Sequence, residues 1–418
     1  MKVLHIAAHM GGGIGAAYAG LTACGLDQSI VILEAPIDLV SLSRVRESGF
    51  KINICPSRET LVKMLGNSDI VLFNWTHHPA LTALMSDFPN IPIRSMVWVH
   101  VSGNYFPAIK ADFLRLFDQC VFATPYSMQL PKIQAMGKAY ASERFAVVYG
   151  LGDLERFGQV CTRPHERFTI GYMGTLNSCK FHPDFMDFAA EAIRRTPDIQ
   201  FVLAGDPMGS EELLNKANER DIANRIHFLG RVTDVPALLA KLDMFAYLLN
   251  PQHYGATENA LLEAMAAGVP VIALDQCVEK LIVDHGKTGI LVDSPRAFSD
   301  AVMALRTNVD LRSNLGKNAR EHVLKQYTIQ GNRKRMLSRY RVCMNSKKKP
   351  MCFKGFFGNT PVEWFLSAVE ADRDCFLEDR VQDAGRIFRE RTKGSPGHYL
   401  RYFPGEEKLV PWAREMEE

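Results

Sequence analysis

Short apolar runs alternate with helical patterns along most of this chain, and that alternation constrains its fold more than any other feature. In the first half, the runs with strand character are VLHIAA (3–8), SIVILE (29–34), KINIC (51–55), IVLFNW (70–75), SMVWVH (95–100), CVFAT (120–124) and FAVVYG (145–150). Continuously apolar strands are typical of a parallel sheet covered by helices on both faces. The first half therefore predicts a doubly wound α/β domain.

The alternation restarts after the polar stretch QVCTRPHER (159–167), with strand runs FTIGYMG (168–174), QFVLAG (200–205), RIHFLG (225–230), MFAYLL (244–249) and VPVIAL (269–274). Between the first two of these runs, apolar residues at helical spacing predict a core-facing helix, namely Phe185, Phe188, Ala189, Ala192 and Ile193. A length of 418 residues exceeds one ordinary core. We therefore expect Rossmann-like domains over 1–160 and 161–330, and a basic helix and C-terminal extension over 331–418 that packs back on the first domain.

Composition excludes several classes of protein. Hydrophobic residues make up 47% and charged residues 23%, and no apolar run approaches the roughly 20 residues that cross a bilayer. The N-terminus lacks the pattern of a signal peptide, and nine cysteines without paired spacing suggest reduced, buried thiols, so we expect a cytoplasmic protein. A net charge of +3 gives no support for nucleic-acid binding.

One segment is strongly basic. Between Gly331 and Lys349 there are eight basic residues and no acidic one. Two interpretations stay open: a solvated helix face with a basic linker, or attraction to anionic lipid headgroups or a phosphorylated acceptor. The last 70 residues carry many aromatic residues and should fold, but they show no chemical motif.

A glycine-rich turn follows the first strand, in HMGGGIGAAYAGL. Glycines such as Gly12 and Gly13 permit close backbone approach to a ligand, which favours a sugar or phosphate loop. Gly13 also belongs to a loose dinucleotide fingerprint in which Glu34 would bind the ribose. An NAD-binding domain and a purely structural turn therefore remain as alternatives.

Polar residues also follow successive strands in the second half. Lys180 closes the turn GTLNSCK, Gly205 and Asp206 end the strand LAGD, and Arg231 follows the strand FLG. In open α/β sheets this edge binds ligands. A lysine there can neutralise a departing diphosphate, although a surface lysine is the alternative for Lys180 taken alone.

The segment YGATENALLEAMAAGVPVIAL predicts a helix that opens at Thr257 or Glu258 and is closed by Gly268 and Pro270. Glu263 lies in the middle of this helix. A carboxylate near the carboxyl ends of parallel strands is suited to accept hydrogen bonds from the hydroxyls of a sugar or ribose.

Taken in order, these motifs resemble the donor domain of the retaining glycosyltransferases of family 4, which have the GT-B fold. The matching pieces are GTLNSCK, LAGD, FLGRV, LLEAMAAGVPVIA and HGKTGILV. The resemblance implies two Rossmann-type domains facing across a cleft, an acceptor domain over 1–160 and a donor domain over 161–330.

The resemblance also implies roles for particular residues. Glu263 should bind the ribose of a nucleotide sugar, Lys180 its diphosphate, and the backbone around Arg231 and Val232 its base. His100 falls where the family has a histidine near the transferred sugar, with a strand-end core residue as the alternative. The other residues expected to contact the donor are Gly12, Gly13, Thr175, Gly205, Asn259 and Ala260.

Two positions depart from the family's pattern. Gly255 stands where the family has a glutamate eight residues before Glu263, and Thr175 stands where it has an arginine. Glu258 is the nearest replacement for the missing glutamate, provided that it lies in the turn before the helix, because five helical residues would rotate it by about 140° from Glu263. The alternative for Glu258 is a helix-start acid that complements the helix dipole. Arg231 is a candidate to replace the missing arginine.

The resemblance implies an enzyme that transfers a hexose-like unit from a nucleotide diphosphate sugar to a glycan or lipid-linked acceptor with retention of configuration. We expect His100 and Glu258 to be catalytic, no cofactor, and no metal, since Lys180 and helix dipoles take the place of a cation. We also expect a position at the inner face of the membrane. The alternative is a catalytically inactive subunit that binds nucleotide or glycan, motivated by Gly255 and Thr175.

Overall fold

The chain is described by a computed structural model that covers residues 1–21, 25–36, 38–161, 165–206 and 209–417. Part of the polar stretch 159–167 therefore lies outside the described residues. The chain forms two compact units. Unit 1 comprises Met1–Asp153, Tyr254–Thr257 and Ile329–Glu418, and unit 2 comprises Leu154–His253 and Glu258–Thr328.

Unit 1 contains a parallel sheet of seven strands in the order β3-β2-β1-β4-β5-β6-β7. Its strands are β1 Lys2–Ala7, β2 Asp27–Ile32, β3 Lys51–Ile54, β4 Ile70–Trp75, β5 Ser95–Val99, β6 Gln119–Phe122 and β7 Phe145–Val147. Every residue of β4, β5 and β6 is buried, as expected for strands covered on both faces. All seven strands predicted for the first half are confirmed.

Unit 2 contains a parallel sheet of six strands in the order β10-β9-β8-β11-β12-β13. Its strands are β8 Phe168–Met173, β9 Ile199–Ala204, β10 Ile226–Gly230, β11 Met244–Tyr247, β12 Val271–Leu274 and β13 Ile290–Val292. The five predicted strands are confirmed, and β13 is an additional edge strand. Both sheets have a doubly wound strand order. The chain adds strands outward on one side of β1, or of β8 in the second sheet, and then returns to add the remaining strands on the other side.

Helices connect the strands of each sheet, and further helices follow the second sheet. They are α1 Gly12–Leu21, α2 Leu39–Glu47, α3 Arg58–Gly66, α4 Pro79–Ser86, α5 Ala111–Arg115, α6 Tyr126–Gln129, α7 Pro131–Gln134, α8 Lys138–Arg144, α9 Phe185–Arg195, α10 Ser210–Glu219, α11 Val235–Leu239, α12 Asn259–Ala266, α13 Glu279–Ile282, α14 Pro295–Thr307, α15 Val309–Gln326, α16 Ile329–Met344, α17 Lys354–Phe357, α18 Pro361–Leu366, α19 Arg373–Leu377, α20 Pro396–Tyr402 and α21 Leu409–Glu417. The helix predicted from the spacing of Phe185 and its neighbours is α9, in which Ile193 is only partly buried.

Residues 329–418 form part of unit 1. Helix α16 buries Met336, Tyr340 and Cys343 in the core beneath β1 and β2. Many aromatic residues of the last 70 build a separate cluster around Phe365, which receives Phe106 from the N-terminal part of the unit. Phe353 and Phe357 instead join the core around Phe73 and Phe113, so the aromatic residues of the extension are shared between two cores of unit 1.

The basic segment is largely used within unit 1. Arg333 donates to the Leu21 carbonyl, Arg339 to Gln119 and the Glu143 carbonyl, and Lys348 to the Ser68 carbonyl. Lys349 pairs with Asp118 at 3.2 Å. These contacts account for much of the charge, and contact with an anionic membrane stays a prediction.

The cysteines differ from expectation. Among those that the structure describes, Cys120, Cys179 and Cys343 are buried, whereas Cys55, Cys161 and Cys352 are exposed. The prediction of generally buried thiols was wrong because apolar neighbours in sequence do not bury a residue at a strand end or in a loop. Among the described residues, no helix combines the length and apolar character needed to cross a membrane.

Candidate active site

Three strands of unit 2 end in glycines that lie against one another. The Gly174 N–H donates to the Ala204 carbonyl at 2.9 Å, and the Gly205 N–H donates to the Gly230 carbonyl at 2.8 Å. A Cβ atom at Gly205 would lie 1.7 Å from the Gly174 carbonyl oxygen, so no larger residue fits there without a backbone shift. The loops after β8, β9 and β10, which carry the predicted donor-binding residues, thus meet at one edge of the sheet.

Helix α12 begins at Asn259, with Glu258 as its N-cap residue, and Gly268 follows its end with a φ of 73°. Glu258 has a φ of 53°, a left-handed conformation that costs a non-glycine residue on the order of 1 to 3 kcal/mol. Its side chain makes no capping hydrogen bond to the helix. Glu258 therefore lies in the turn before the helix, as its proposed role requires, and its side chain is directed elsewhere.

The Glu258 carboxylate is buried and contacts two side chains through its Oε2 atom. The Lys180 ammonium lies 3.2 Å away, and the Tyr247 hydroxyl donates a short hydrogen bond to the same oxygen. The Oε1 atom is buried and makes no hydrogen bond within the described residues. A buried carboxylate oxygen without a hydrogen-bond donor is costly, and such atoms are typical of sites that bind a ligand.

A second carboxylate continues this network. His253 Nε2 lies 3.1 Å from Glu279 Oε1, and His253 Nδ1 lies 3.8 Å from Glu258 Oε1, with all three side chains fully buried. Burial opposes the charged form of His253, but Glu279 and Glu258 raise its pKa above the usual range. Burial likewise opposes the ionised form of Glu258, but Lys180, His253 and Tyr247 outweigh it and lower its pKa. The group therefore holds alternating positive and negative charges.

Glu263 has a different environment, one and a half turns along the same helix. It is partly buried, and burial raises its pKa to about 7, with only the charge of Arg156 acting in the opposite direction. Among the residues that the structure describes, Arg156 is the charged group that acts on this carboxylate. A group of this kind gains most when a ligand supplies hydrogen-bond donors.

The remaining donor-binding candidates of unit 2 lie around this edge. Arg231 is exposed and pairs with Asp206 at 2.6 Å, so its guanidinium already has a carboxylate partner. Val232 follows it and is partly buried. Asn259 and Ala260 begin α12, at the positive end of the helix dipole.

The Thr175 carbonyl accepts a hydrogen bond from the Tyr172 hydroxyl, which fixes the loop that leads to Lys180. The structure does not indicate a group that replaces the arginine expected at Thr175.

The candidates in unit 1 are Gly12, Gly13 and His100. Gly12 has a φ of 57° and opens α1, and both glycines are exposed at that helix terminus. His100 follows β5, and its Nε2 atom lies 2.9 Å from Asn74 Oδ1. Burial and the charge of Lys393 lower the pKa of His100 to about 3, so its imidazole is neutral at pH 7.

His9, Glu34 and His78 form a compact group, and their candidate ligand atoms lie within 4.8 Å of one another. His9 Nδ1 accepts from the Gly11 N–H at 3.1 Å, and His78 Nδ1 accepts from the Ala80 N–H at 3.3 Å. Because Nδ1 of each ring already accepts a backbone N–H, Nε2 is the nitrogen that each ring has left for another contact.

Tyr402 of the extension donates to Glu34, and His78 Nε2 lies 3.5 Å from the same carboxylate. Tyr402 and His78 thus both contact the Glu34 carboxylate, and metal independence stays a prediction. The dinucleotide interpretation expected Glu34 to bind a ribose, whereas in the structure its carboxylate contacts Tyr402 and His78.

Several residues of the site escaped the sequence analysis. Tyr247 lies inside the predicted strand run MFAYLL and His253 follows six residues later, but neither has a spacing that marks it. Glu279 begins the short helix α13, far along the chain from Glu258. Asn74 is an amide side chain inside the otherwise apolar strand run IVLFNW, and that contrast was the sequence feature that could have marked it as a site residue.

Comparison with known proteins finds a family match for part of the chain. Residues 167–308 match the family described as Glycosyl transferases group 1. The matched segment lies within unit 2 and includes Lys180, Glu258 and Glu263.

The relatives are more specific in name but match only in part. N-acetyl-alpha-D-glucosaminyl L-malate synthase of Bacillus anthracis is 33% identical over 132 residues, 31% of this chain and 34% of that protein. D-inositol 3-phosphate glycosyltransferase of Corynebacterium urealyticum is 29% identical over 223 residues, 47% of this chain and 51% of that protein. The chain spans about a third to a half of the length of these two relatives.

Solved structures match over more of the chain. Anabaena HepE in complex with UDP has a TM-score of 0.65 at 18% identity and covers 82% of this chain and 100% of its own. A glycosyltransferase from Rickettsia africae has a TM-score of 0.65 at 15% identity and covers 82% of this chain and 99% of its own. These matches show the fold, which is the pair of parallel-sheet Rossmann-like domains of GT-B glycosyltransferases.

Proposed function

We propose that this protein is a retaining, metal-independent glycosyltransferase that moves a sugar from a nucleotide diphosphate sugar to a glycan or lipid-linked acceptor. The observation that carries the proposal is the buried Lys180–Glu258 pair at the edge of the unit 2 sheet, with Glu263 on the same helix. The relatives named above are a glucosaminyl L-malate synthase and an inositol phosphate glycosyltransferase, and the structure of HepE is a complex with UDP. Retention follows from the family resemblance of the motifs.

Lys180 supplies the charge for the diphosphate. Its side chain is one-fifth exposed, so the ammonium reaches solvent on one side while Glu258 holds it on the other. As the bond from the sugar to the diphosphate breaks, negative charge develops on the leaving oxygen. A fixed ammonium stabilises that charge more in the transition state than in the bound donor.

Glu258 supplies the opposite charge. Its pKa is lowered by Lys180 and His253 despite burial, so it is ionised at pH 7. The transferred sugar develops positive charge at its anomeric carbon, and a buried carboxylate stabilises that charge. Its Oε1 atom, which makes no hydrogen bond, is the one we assign to this task.

Glu263 holds the donor rather than reacting with it. Two ribose hydroxyls can donate to its carboxylate, and this contact would favour the ionised form. Asn259, Ala260 and the backbone near Arg231 and Val232 complete the donor site in this proposal. By the family resemblance, we also assign His100 to the transferred sugar and the glycine turn at Gly12 and Gly13 to the sugar or phosphate.

The test has two stages. A thermal-shift screen of nucleoside diphosphates, with UDP first, identifies the base, because a ligand at a hundred times its Kd stabilises by about 2.7 kcal/mol. Release of nucleoside diphosphate from the matching sugar donors is then measured with wild-type protein. Binding without any release would instead support the inactive, nucleotide-binding alternative, and absence of both would remove the proposal.

A comparison of alanine variants at Lys180 and Lys216 tests whether Lys180 contacts the diphosphate. Lys180→Ala should weaken nucleoside diphosphate binding roughly ten- to a hundredfold, the loss expected for a charge-assisted contact. Lys216→Ala is the control, because its ammonium is similarly exposed and pairs with Glu212 on α10. Equal affinity of both variants would show that Lys180 does not contact the diphosphate.

A further inference from the structure

A continuous chain of buried polar side chains runs through unit 1 and ends at His100. Asn74 contacts His100, Tyr18 contacts Asn74, and His5 contacts Tyr18, with donor–acceptor distances between 2.7 and 3.0 Å. His5 Nε2 in turn lies 2.7 Å from Gln28 Oε1. The side chains of His5 and Tyr18 are fully buried and Asn74 is 1% exposed, so water does not compete for these bonds.

The orientation of the Asn74 amide is determined by its surroundings. Asn74 Nδ2 lies 3.1 Å from the Ile6 carbonyl oxygen, which can only accept a hydrogen bond. The amide must therefore present its NH₂ group to Ile6 and its Oδ1 atom to His100. Since Oδ1 can only accept, His100 Nε2 must carry a proton.

The rest of the chain is consistent with this orientation. Asn74 Nδ2 also donates to the Tyr18 hydroxyl oxygen at 2.7 Å, and the Tyr18 proton has two acceptors within reach, His5 Nδ1 at 2.8 Å and Asn74 Oδ1 at 3.0 Å. Since Gln28 Oε1 can only accept, His5 carries its proton on Nε2 and donates to Gln28 at 2.7 Å. Burial lowers the pKa of His5 to about 4, so a single proton per imidazole is the expected state.

The consequence lies at His100 Nδ1. A neutral imidazole protonated on Nε2 has a lone pair on Nδ1 and accepts a hydrogen bond there. Lys393 is the charged group that acts on His100 among the described residues, and it disfavours a second proton. Trp98 packs against the imidazole, with ring centroids 4.5 Å apart, and adds no donor to that contact.

We propose that Asn74 is a positioning residue that holds His100 in the Nε2–H form, so that His100 Nδ1 accepts a hydrogen bond from a hydroxyl of the bound sugar. A sugar with a hydroxyl facing Nδ1 is then favoured over one with a carboxylate there, because Nδ1 and the carboxylate would both be acceptors. The inference rests on the proposed function, which assigns His100 to the transferred sugar.

The first experiment reads the tautomer directly. Long-range ¹H–¹⁵N correlations of histidine-labelled protein, with His100 assigned from the His100→Gln variant, distinguish a protonated from an unprotonated Nδ1. We expect an unprotonated Nδ1 in wild-type protein and a shift toward mixed tautomers in Asn74→Leu, a change of similar shape without the acceptor. A protonated Nδ1 in the wild type would overturn the inference, whether or not the protein turns over a donor.

The second experiment reads selectivity. Wild-type protein should release nucleoside diphosphate from a hexose donor at least tenfold faster, in kcat/KM, than from the uronic acid of the same hexose. In Asn74→Asp the new carboxylate should raise the pKa of His100, against the opposing charge of Lys393. An acidic limb should then appear in the kcat/KM profile for the hexose donor, and the preference over the uronate should shrink.

Asn332→Asp is the control, because this buried amide bonds to the Tyr149 backbone and to Arg335 in the same unit, and among the described residues it makes no hydrogen bond to His100. An unchanged profile in Asn74→Asp, or the same acidic limb in the control, would overturn the positioning role. Failure of the proposed function is separate, since it would appear as no release from either donor.

Discussion

Lys180 Nζ lies 3.2 Å from Glu258 Oε2, and the glutamate side chain has no exposed surface. The pair joins the loop after β8 to the residue that precedes α12. Neither position is close to the other in sequence, and only the parallel sheet brings them together. The same pair is the feature that links the fold to the proposed transfer of a sugar.

The two residues should be coupled in stability. Removing one partner of a buried ion pair leaves the other charge without compensation, which typically costs about 3 to 5 kcal/mol. We expect Lys180→Met and Glu258→Gln each to destabilise unit 2, and the double variant to lose about 1 to 3 kcal/mol less than the sum. Hydrogen exchange of the β11 amides reports on unit 2 by itself, and simple additivity would show that the pair is not coupled.

Donor affinity should depend on pH through Glu263. Burial raises the pKa of this carboxylate to about 7 in the free protein, whereas ribose hydroxyls bind best to the ionised form. Lowering the pH from 8 to 6 should therefore weaken binding of a nucleotide diphosphate sugar by up to about tenfold.

An intact sugar donor is the ligand to use, because its diphosphate has no terminal phosphate that titrates near pH 6. In Glu263→Gln the affinity should be lower at pH 8 and nearly independent of pH over this range. A wild-type affinity that does not change with pH would contradict the assignment of Glu263.

Glu263 should also reduce the stability of the free protein at high pH. A carboxyl whose pKa is raised on folding binds its proton more tightly in the folded state, so stability falls as pH rises from about 4.5 to about 7 and is constant above. The full effect is on the order of 3 kcal/mol. Glu263→Gln should accordingly melt at a higher temperature than wild type at pH 8 and at nearly the same temperature near pH 4.5.

The control for that comparison is Glu321→Gln, an exposed carboxylate on α15. It should leave the melting temperature unchanged at both pH values. A Glu263→Gln protein that is no more stable than wild type at pH 8 would show that burial of this carboxylate is not costly.

The glycine contact at the sheet edge should not tolerate a methyl group. Gly205→Ala would place a Cβ atom 1.7 Å from the Gly174 carbonyl oxygen and force the loops after β8 and β9 apart. We expect a melting temperature lower by several degrees and a loss of nucleotide binding. Gly66→Ala, at the end of α3 where nothing lies within 4 Å, should be neutral or slightly stabilising, and equal behaviour of the two variants would contradict the contact.

The sequence predicts the strands well because buried parallel strands are continuously apolar and bounded by turns. It also predicts the end of α12 at Gly268, since a glycine with positive φ is a strong stop. The ion pair and the Asn74 chain are not predictable in this way. They depend on strand order, which brings together residues such as Lys180 and Glu258, or His5 and His100, that carry no local spacing signal.

The positions of Glu263 and Glu258 also differ in how well the sequence predicts them. Glu263 lies inside a regular helix, so its position follows from the helix boundaries. Glu258 has a left-handed backbone and a side chain directed away from the helix, and no propensity scale expresses that conformation. Its contacts with Tyr247 and His253 could be found only in the folded chain.

The most direct test of the account compares donor binding and donor turnover in Glu258→Gln. Removing the carboxylate frees Lys180 and takes a negative charge from beside the diphosphate, so affinity for the nucleotide diphosphate sugar should be equal to or tighter than that of wild type. Single-turnover release of nucleoside diphosphate should nevertheless fall by at least a hundredfold. Release at the wild-type rate, or a loss of affinity for the donor, would contradict the role assigned to the Lys180–Glu258 pair.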